Sequence, residues 1–352
     1  MYRTLLLLTA LFVLVPMGAQ AVTSMEVVNQ ISQTSIQNYL TSLPTYYGDN
    51  RGFNISLVGN TYVHGADHDT MRDQLFTYFR RTGWTTFYDP IHIVDTSGNT
   101  TNGSNIIAIK QGTVTPDKIY FVGAHYDSKS NPGANDNASG CVGMVEMARV
   151  FSGYTFDSTI IFAFFDGEET TVYASDVTYR RVGSMHYVTK YTDVIPKIQQ
   201  MVSFDMVAHS DTTSRGRLET GYSQNGALNT AIIDALSTYG TLGYTTNNSM
   251  NYSDHVSFAN LGVPGLMLIE NGWNISGSDP YYHKSSDAVD NPDNVSWSYL
   301  TKMVKSMTGY LCDAAHVNGV ATGSAMAPQS DPLSTQAAST SDLGEFLKGT
   351  VR

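Results

Sequence analysis

An α/β fold built on a mostly parallel sheet is what this sequence predicts, and three observations predict it. Two short apolar runs, Lys118-Ile-Tyr-Phe-Val-Gly123 and Thr159-Ile-Ile-Phe-Ala-Phe-Phe165, have the length and composition of strands buried on both faces. Between them, Cys141 to Phe151 carries a helical pattern, completing a strand, helix, strand unit of the kind that builds parallel sheets. Each run ends in metal-seeking side chains, His125-Tyr-Asp127 and Asp166-Gly-Glu-Glu169, where open α/β sheets collect their ligands.

The other elements follow in order. Met1-Tyr-Arg3, the apolar stretch Leu5 to Val15 and Gly18-Ala-Gln-Ala21 read as a secretory signal peptide over residues 1–21, with a basic start and a small-residue cleavage site. Val28, Ile31, Ile36, Tyr39, Leu40 and Leu43 approximate helical spacing up to Pro44, and Leu75, Phe76 and Phe79 mark a second helix over about 70–81. The cluster His64-Gly-Ala-Asp-His-Asp69 before it is expected to be a solvated loop. Asn105-Ile-Ile-Ala-Ile109, Met201-Val-Ser-Phe204 and Gly265-Leu-Met-Leu-Ile269 read as further strands. Leu228 to Tyr239 and Trp297 to Ala315 read as helices, the latter with Val304, Met307, Leu311 and Ala315 on one side. From Gly319 the composition turns to Ala, Ser, Thr, Pro and Gly, which predicts a flexible tail over 319–352 behind a single domain over 22–318.

Composition narrows the function. A formal charge of -11 lacks the basic face that nucleic acid requires and suits a protein that holds cations. No run after the signal is long and apolar enough to span a bilayer, so no stable membrane insertion is expected once the signal is removed, and the product is expected to be secreted. Cys141 and Cys312 are the only cysteines, too few for a disulfide framework; they either pair or lie as two separate buried thiols. Asn54-Ile-Ser56, Asn251-Tyr-Ser253 and Asn294-Val-Ser296 are possible glycosylation acceptors.

His125, Asp136, Glu169, Asp205 and His283 each have an ordinary reading as a polar group at a strand end. Together they are five hard or borderline ligands at one edge of one sheet, and that coincidence points to a metal site. Two imidazoles with three carboxylates suit zinc, and a carboxylate with two free oxygens can bridge ions about 3.5–4 Å apart.

Six blocks then carry a resemblance: His125-Tyr-Asp127, Gly133-Ala-Asn-Asp-Asn-Ala-Ser-Gly140, Asp166-Gly-Glu-Glu169, Phe204-Asp-Met206, Tyr252-Ser-Asp-His255 and Tyr282-His283. In this order they resemble the secreted di-zinc aminopeptidases of metallopeptidase family twenty-eight, the bacterial leucyl aminopeptidase type. The resemblance implies a three-layer α/β sandwich with a mixed, mostly parallel central sheet flanked by helices, the zinc-exopeptidase fold. It implies two zinc ions per chain, with Asp136 bridging them, His125 and Asp205 completing one and Glu169 and His283 the other. Glu168 would be the general base, and a tyrosine hydroxyl, Tyr252 or Tyr282, would meet the oxyanion. Asp127 would fix the His125 tautomer. Substrates would be peptide or protein N-termini, taken by a monomer, with the α-amine held by carboxylates such as Glu168 and Asp205. Met206 and the loop from Asn271 to Ser278 are candidates for lining a side-chain pocket.

One departure stands out. Typical members pass quickly from the Glu-Glu pair to a Gly-Ser dipeptide, whereas here Thr170 to Val182 intervene before Gly183-Ser184, which places a longer loop at the mouth of the cleft. Residues 22–117 are consumed by core elements and leave no room for an inserted protease-associated domain. Glutaminyl cyclases resemble the blocks His125-Tyr-Asp-Ser-Lys129 and Phe165-Asp-Gly-Glu-Glu169 as well, and are the alternative; their site resembles a single-zinc one with tryptophan where this chain has Tyr282. A non-catalytic relative keeping only the fold would have lost ligands or base, and none is missing here.

Overall fold

The computed structural model describes residues 22–210, 214–249, 251–271 and 279–321. The signal-like segment, residues 272–278 of the glycine- and serine-rich loop and residues 322–352 of the tail lie outside the described residues.

The chain opens with two short helices, α1 (Ser24–Val28) and α2 (Gln33–Ser42), a hairpin of β1 (Ser56–Val58) and β2 (Thr61–Val63), and helix α3 (His68–Arg81). Strands β3 (Thr85–Val94), β4 (Thr100–Lys110) and β5 (Thr115–His125) lead to α4 (Ser139–Phe151), β6 (Tyr154–Phe156) and β7 (Ser158–Phe165). A second hairpin, β8 (Thr171–Tyr173) and β9 (Thr178–Arg180), precedes α5 (Val182–Lys190), β10 (Ile198–Phe204) and β11 (Arg215–Glu219). The fold closes with α6 (Gly226–Thr238), β12 (Gly243–Asn247), α7 (His255–Ala259), β13 (Gly265–Glu270), α8 (Trp297–Ala314) and β14 (Val317–Val320).

Ten strands form one sheet in the order β1-β2-β4-β7-β5-β10-β13-β11-β12, with β3 also paired to β4. Its centre, β7, β5, β10 and β13, is parallel. β4 runs antiparallel to β7, and β11 antiparallel to β13. The expected mixed, mostly parallel sheet is therefore the observed one.

Alternation along the central strands explains why both faces are covered. Val122, Ala124, Ile160, Phe162 and Phe164 face one way, against α2, α3, α4, α6 and α8. Phe121, Ile161, Ala163 and Phe165 face the other, against Tyr187 of α5 and Phe258 of α7. Every residue of β7 and of β13 is buried, as expected of strands with helices on both sides. Each buried phenylalanine in these layers contributes roughly 1.5–3 kcal/mol by leaving water.

Several sequence expectations need correction. The N-terminal helical stretch is two helices, because residues 29–32 break it between the caps Asn29 and Ser32. β4 begins at Thr100, five residues ahead of the apolar core of its run. β3 was hidden by Pro90, which is tolerated because β3 pairs only with β4 and can spare a ladder donor. The domain does not stop at residue 318, since Val317 to Val320 pair antiparallel with β6. His68 is not in a solvated loop; it opens α3 and is fully buried. Cys141 and Cys312 are free, buried thiols. Asn294 is fully buried with Nδ2 donating to Asp287, so the folded chain does not offer that sequon, whereas Asn251 is exposed. Among the described residues no helix is long and apolar enough to cross a membrane.

Candidate metal centre

The register of the parallel strands assembles the site. His125, the last residue of β5, pairs with Phe165 at the end of β7, which brings the turn Asp166 to Glu169 alongside it. Asp205 follows Phe204 at the end of β10, and His283 lies in the loop after β13. Asp136 sits in a single wide turn, Ala134–Ala138, between β5 and α4. The turn is entered through Gly133 at φ +61, where a Cβ would stand 2.3 Å from the Asp136 carbonyl and 2.2 Å from the Arg51 guanidinium, so only glycine fits.

All five predicted ligands converge. His125 Nε2 lies 3.2 Å from Asp136 Oδ1 and 3.4 Å from Asp205 Oδ1. His283 Nε2 lies 3.2 Å from Asp136 Oδ2 and 2.8 Å from Glu169 Oε1. Two donor triads result, His125 with Asp136 and Asp205, and Asp136 with Glu169 and His283, each with ligand atoms within 4.8 Å of one another. Asp136 belongs to both and presents a different oxygen to each.

The donor chemistry fits zinc: neutral imidazole nitrogen and carboxylate oxygen with no thiolate. Asp205 offers an independent test of the fit. Its Oδ2 accepts from Ser253 Oγ at 2.6 Å, while its Oδ1, turned toward His125, is buried without a hydrogen-bond partner. A buried carboxylate oxygen left bare in this way is costly unless a cation meets it.

Without a metal, the carboxylates and imidazoles hold one another's charge. Burial would raise the pKa of Asp136, but hydrogen bonds from His125 and His283 outweigh it and hold the carboxyl far below its ordinary range. Burial would lower His283, yet Asp136 and Glu169 raise it to about 10. Cations are what these carboxylates draw in. Glu168 differs: burial is the main cause pushing it well above the usual carboxylate range, with Glu169, Asp254 and Asp205 adding to that against an opposing pull from His125.

A supporting layer fixes these groups. His125 Nδ1 faces the Asp127 carbonyl at 3.2 Å and its carboxylate at 3.4 Å, a geometry that suits orienting the ring. The Asp127 carboxylate also accepts the backbone N–H groups of Glu168 and Glu169, at 3.1 and 3.2 Å. Asp287 accepts the backbone N–H of Asn135 at 2.7 Å and of Asp136 at 3.1 Å. Arg51, fully buried, donates to the carbonyls of Tyr126, Pro132 and Gly133 and so latches the Asp136 turn to β5. His68 Nε2 meets Asp166 at 2.7 Å, beside the Glu168–Glu169 pair. Asp287 and Arg51 carried no signal in the sequence beyond their polar identity, while His68 and Ser253 stood in segments read for other reasons.

The centre opens into a cavity of about 260 Å³ whose lining includes Glu168, Tyr252, Tyr282, Arg180 and Arg181. Met206, Met267 and Ile269 form a small apolar cluster on its wall. Tyr282 stacks on His283 with centroids 3.7 Å apart, and burial followed by Asp136 and Glu169 raises its pKa, keeping the hydroxyl a donor. The extra segment Thr170 to Val182 carries the β8–β9 hairpin, whose residues Thr171 and Arg180 line the cavity.

Residues 105–309 match the model of peptidase family M28. The chain belongs to that family. Among curated relatives, aminopeptidase YwaD of Bacillus subtilis is 32% identical over 192 residues, which covers 53% of this chain and 40% of that protein. The chain spans 25% and 23% of two of the probable zinc metalloproteases it also matches, from Pyrenophora tritici-repentis and Pyrenophora teres. The fold is shared with the LapA aminopeptidase of Legionella pneumophila, at TM-score 0.64 and 21% identity over 83% of this chain and 74% of that one. It is shared equally with a glutaminyl cyclase of Macrostomum lignano, at TM-score 0.67 and 19% identity over 84% of this chain and 93% of that one. The family resemblance read from six motif blocks is therefore the family the chain belongs to, and its three-layer architecture is the family's.

Proposed function

We propose that this protein is a secreted zinc aminopeptidase that releases N-terminal residues from peptides at a dinuclear site. The observation that carries the reading is Asp136, whose two oxygens serve two separate donor triads, one completed by His125 and Asp205 and the other by Glu169 and His283. Zinc held there would polarise the scissile carbonyl and supply an activated water.

This chain's own residues do the rest. Glu168 belongs to neither triad and lines the same cavity, which suits a base that takes a proton from the attacking water and returns it to the leaving amine. Tyr282, held against His283, and Tyr252, which lines the same cavity, are the two tyrosine hydroxyls proposed to meet the oxyanion. The carboxylates of the cavity floor attract a free α-ammonium group.

The test is hydrolysis of free and N-acetylated aminoacyl substrates by the zinc-loaded protein, with and without chelator. Release of amino acid from free substrates only, abolished by chelator, is the expected outcome. Cleavage of blocked substrates, or conversion of an N-terminal glutamine to pyroglutamate without release of amino acid, contradicts it. Secretion is tested separately by sequencing the N-terminus of protein recovered from medium, expected to start at Val22.

A further inference from the structure

Two arginines face a centre made of carboxylates and imidazoles, and nothing in the metal chemistry calls for them. Arg180 ends β9 and Arg181 follows at φ 57; both line the cavity together with His125, Asp136 and Glu169, and its described lining holds no other arginine or lysine. The hairpin that carries them leaves and returns to one atom: Thr170 and Val182 both donate to the carbonyl of Gly167, at 3.4 and 2.9 Å. Val172 and Val182 pack it against Phe53, Ile91 and Ile93. The arginines are thus mounted on an anchored hairpin that follows Glu168 and Glu169 in the chain.

Neither guanidinium closes an ion pair, and Arg181 acts on the Asp254 carboxyl only as a nearby charge. Arg72, Arg149 and Arg217 each pair with a carboxylate, whereas among the described residues Arg180 and Arg181 form no ion pair. Arg181 gives Nη1 to the carbonyl of Asn251 at 3.2 Å, and its Nε is buried without a partner. A guanidinium left unpaired at the mouth of a substrate cavity is a fork suited to a carboxylate, which it meets bidentately.

We propose that Arg180 and Arg181 form a carboxylate-recognising subsite, so that the protein favours substrates with a negative charge close to the scissile bond. This rests on the aminopeptidase reading and deepens it. The carboxylate can come from an acidic first residue, an acidic second residue, or the free C-terminus of a dipeptide, and paired substrates distinguish these sources.

The experiment measures kcat/KM of the zinc-loaded protein on three pairs: Asp-Ala-amide against Asn-Ala-amide, Ala-Glu-amide against Ala-Gln-amide, and Ala-Ala against Ala-Ala-amide. At least one charged member is expected to be favoured about fivefold or more, chiefly through KM, with the preference shrinking as salt is added. Arg180→Gln with Arg181→Gln should bring that ratio toward one, and Arg180→Lys with Arg181→Lys, which keep charge but lose the fork, should retain part of it. A ratio at or below one in all three pairs, or a ratio unchanged in the double Gln protein, overturns the subsite. If amino acid is still released from the uncharged members, the aminopeptidase reading survives that loss; if no substrate releases amino acid, both fall.

Discussion

Asp127 Oδ1 accepts the backbone N–H of Glu168 at 3.1 Å. With Oδ2 on the N–H of Glu169 and its carbonyl on His125, this one residue ties the end of β5 to the turn after β7. A ligand of one triad, a ligand of the other and the candidate base are therefore positioned through a single side chain and its peptide.

Asp127→Asn replaces one of the accepting oxygens with an amide that confronts an N–H. It is expected to lower kcat/KM and zinc affinity by about 10–100-fold without unfolding the chain. Steady-state kinetics and a competitive zinc chelator read the two effects, and wild-type values for both would show that Asp127 does not position the site.

His68 gives a pH signature. Burial would lower its pKa, but the charge and hydrogen bond of Asp166 outweigh this and raise it to about 9, against about 6.5 unfolded. Between those values the folded chain keeps a proton that the unfolded chain has lost. The stabilisation is therefore complete below about pH 6.5 and is lost as pH rises through about 9, by up to roughly 3 kcal/mol. Urea midpoints across pH 6–10 should fall in the wild type and stay flatter in His68→Asn; parallel profiles would contradict the pairing.

Arg51 makes a different prediction, because it satisfies three buried carbonyls at once. Arg51→Met leaves them bare and is expected to cost at least about 3 kcal/mol. The loss should appear in the urea midpoint, and in zinc affinity as the Gly133–Asp136 turn loosens. An unchanged midpoint would contradict the role given to Arg51.

How much of this was legible follows from where the physics is local. The central strands announce themselves because burial on both faces forces continuous apolar runs, and His125, Glu169 and Asp205 stand at their ends, where a parallel sheet gathers them. Asp136 and His283 are brought in by loops, so their place beside the strand ends was read from the coincidence of ligand types and from the motif blocks rather than from strand pattern. Arg51 was illegible and His68 was misread as solvated because a buried polar residue looks the same in sequence as an exposed one; only the partner, Asp166 or a run of carbonyls, reveals it. The β8–β9 hairpin was seen as extra length, but its anchoring by Val172 and Val182 depends on Phe53 and Ile91, far away in the chain.

The most direct measurement of the central claim is the zinc content of folded protein by elemental analysis, across Asp205→Asn, Glu169→Gln and Asp136→Asn. The two-triad site predicts about two ions per chain in the wild type, about one in each of the first two variants, and less than one when the shared Asp136 is altered. A wild-type protein that saturates at one ion, or an Asp136→Asn protein that still holds two, would contradict it.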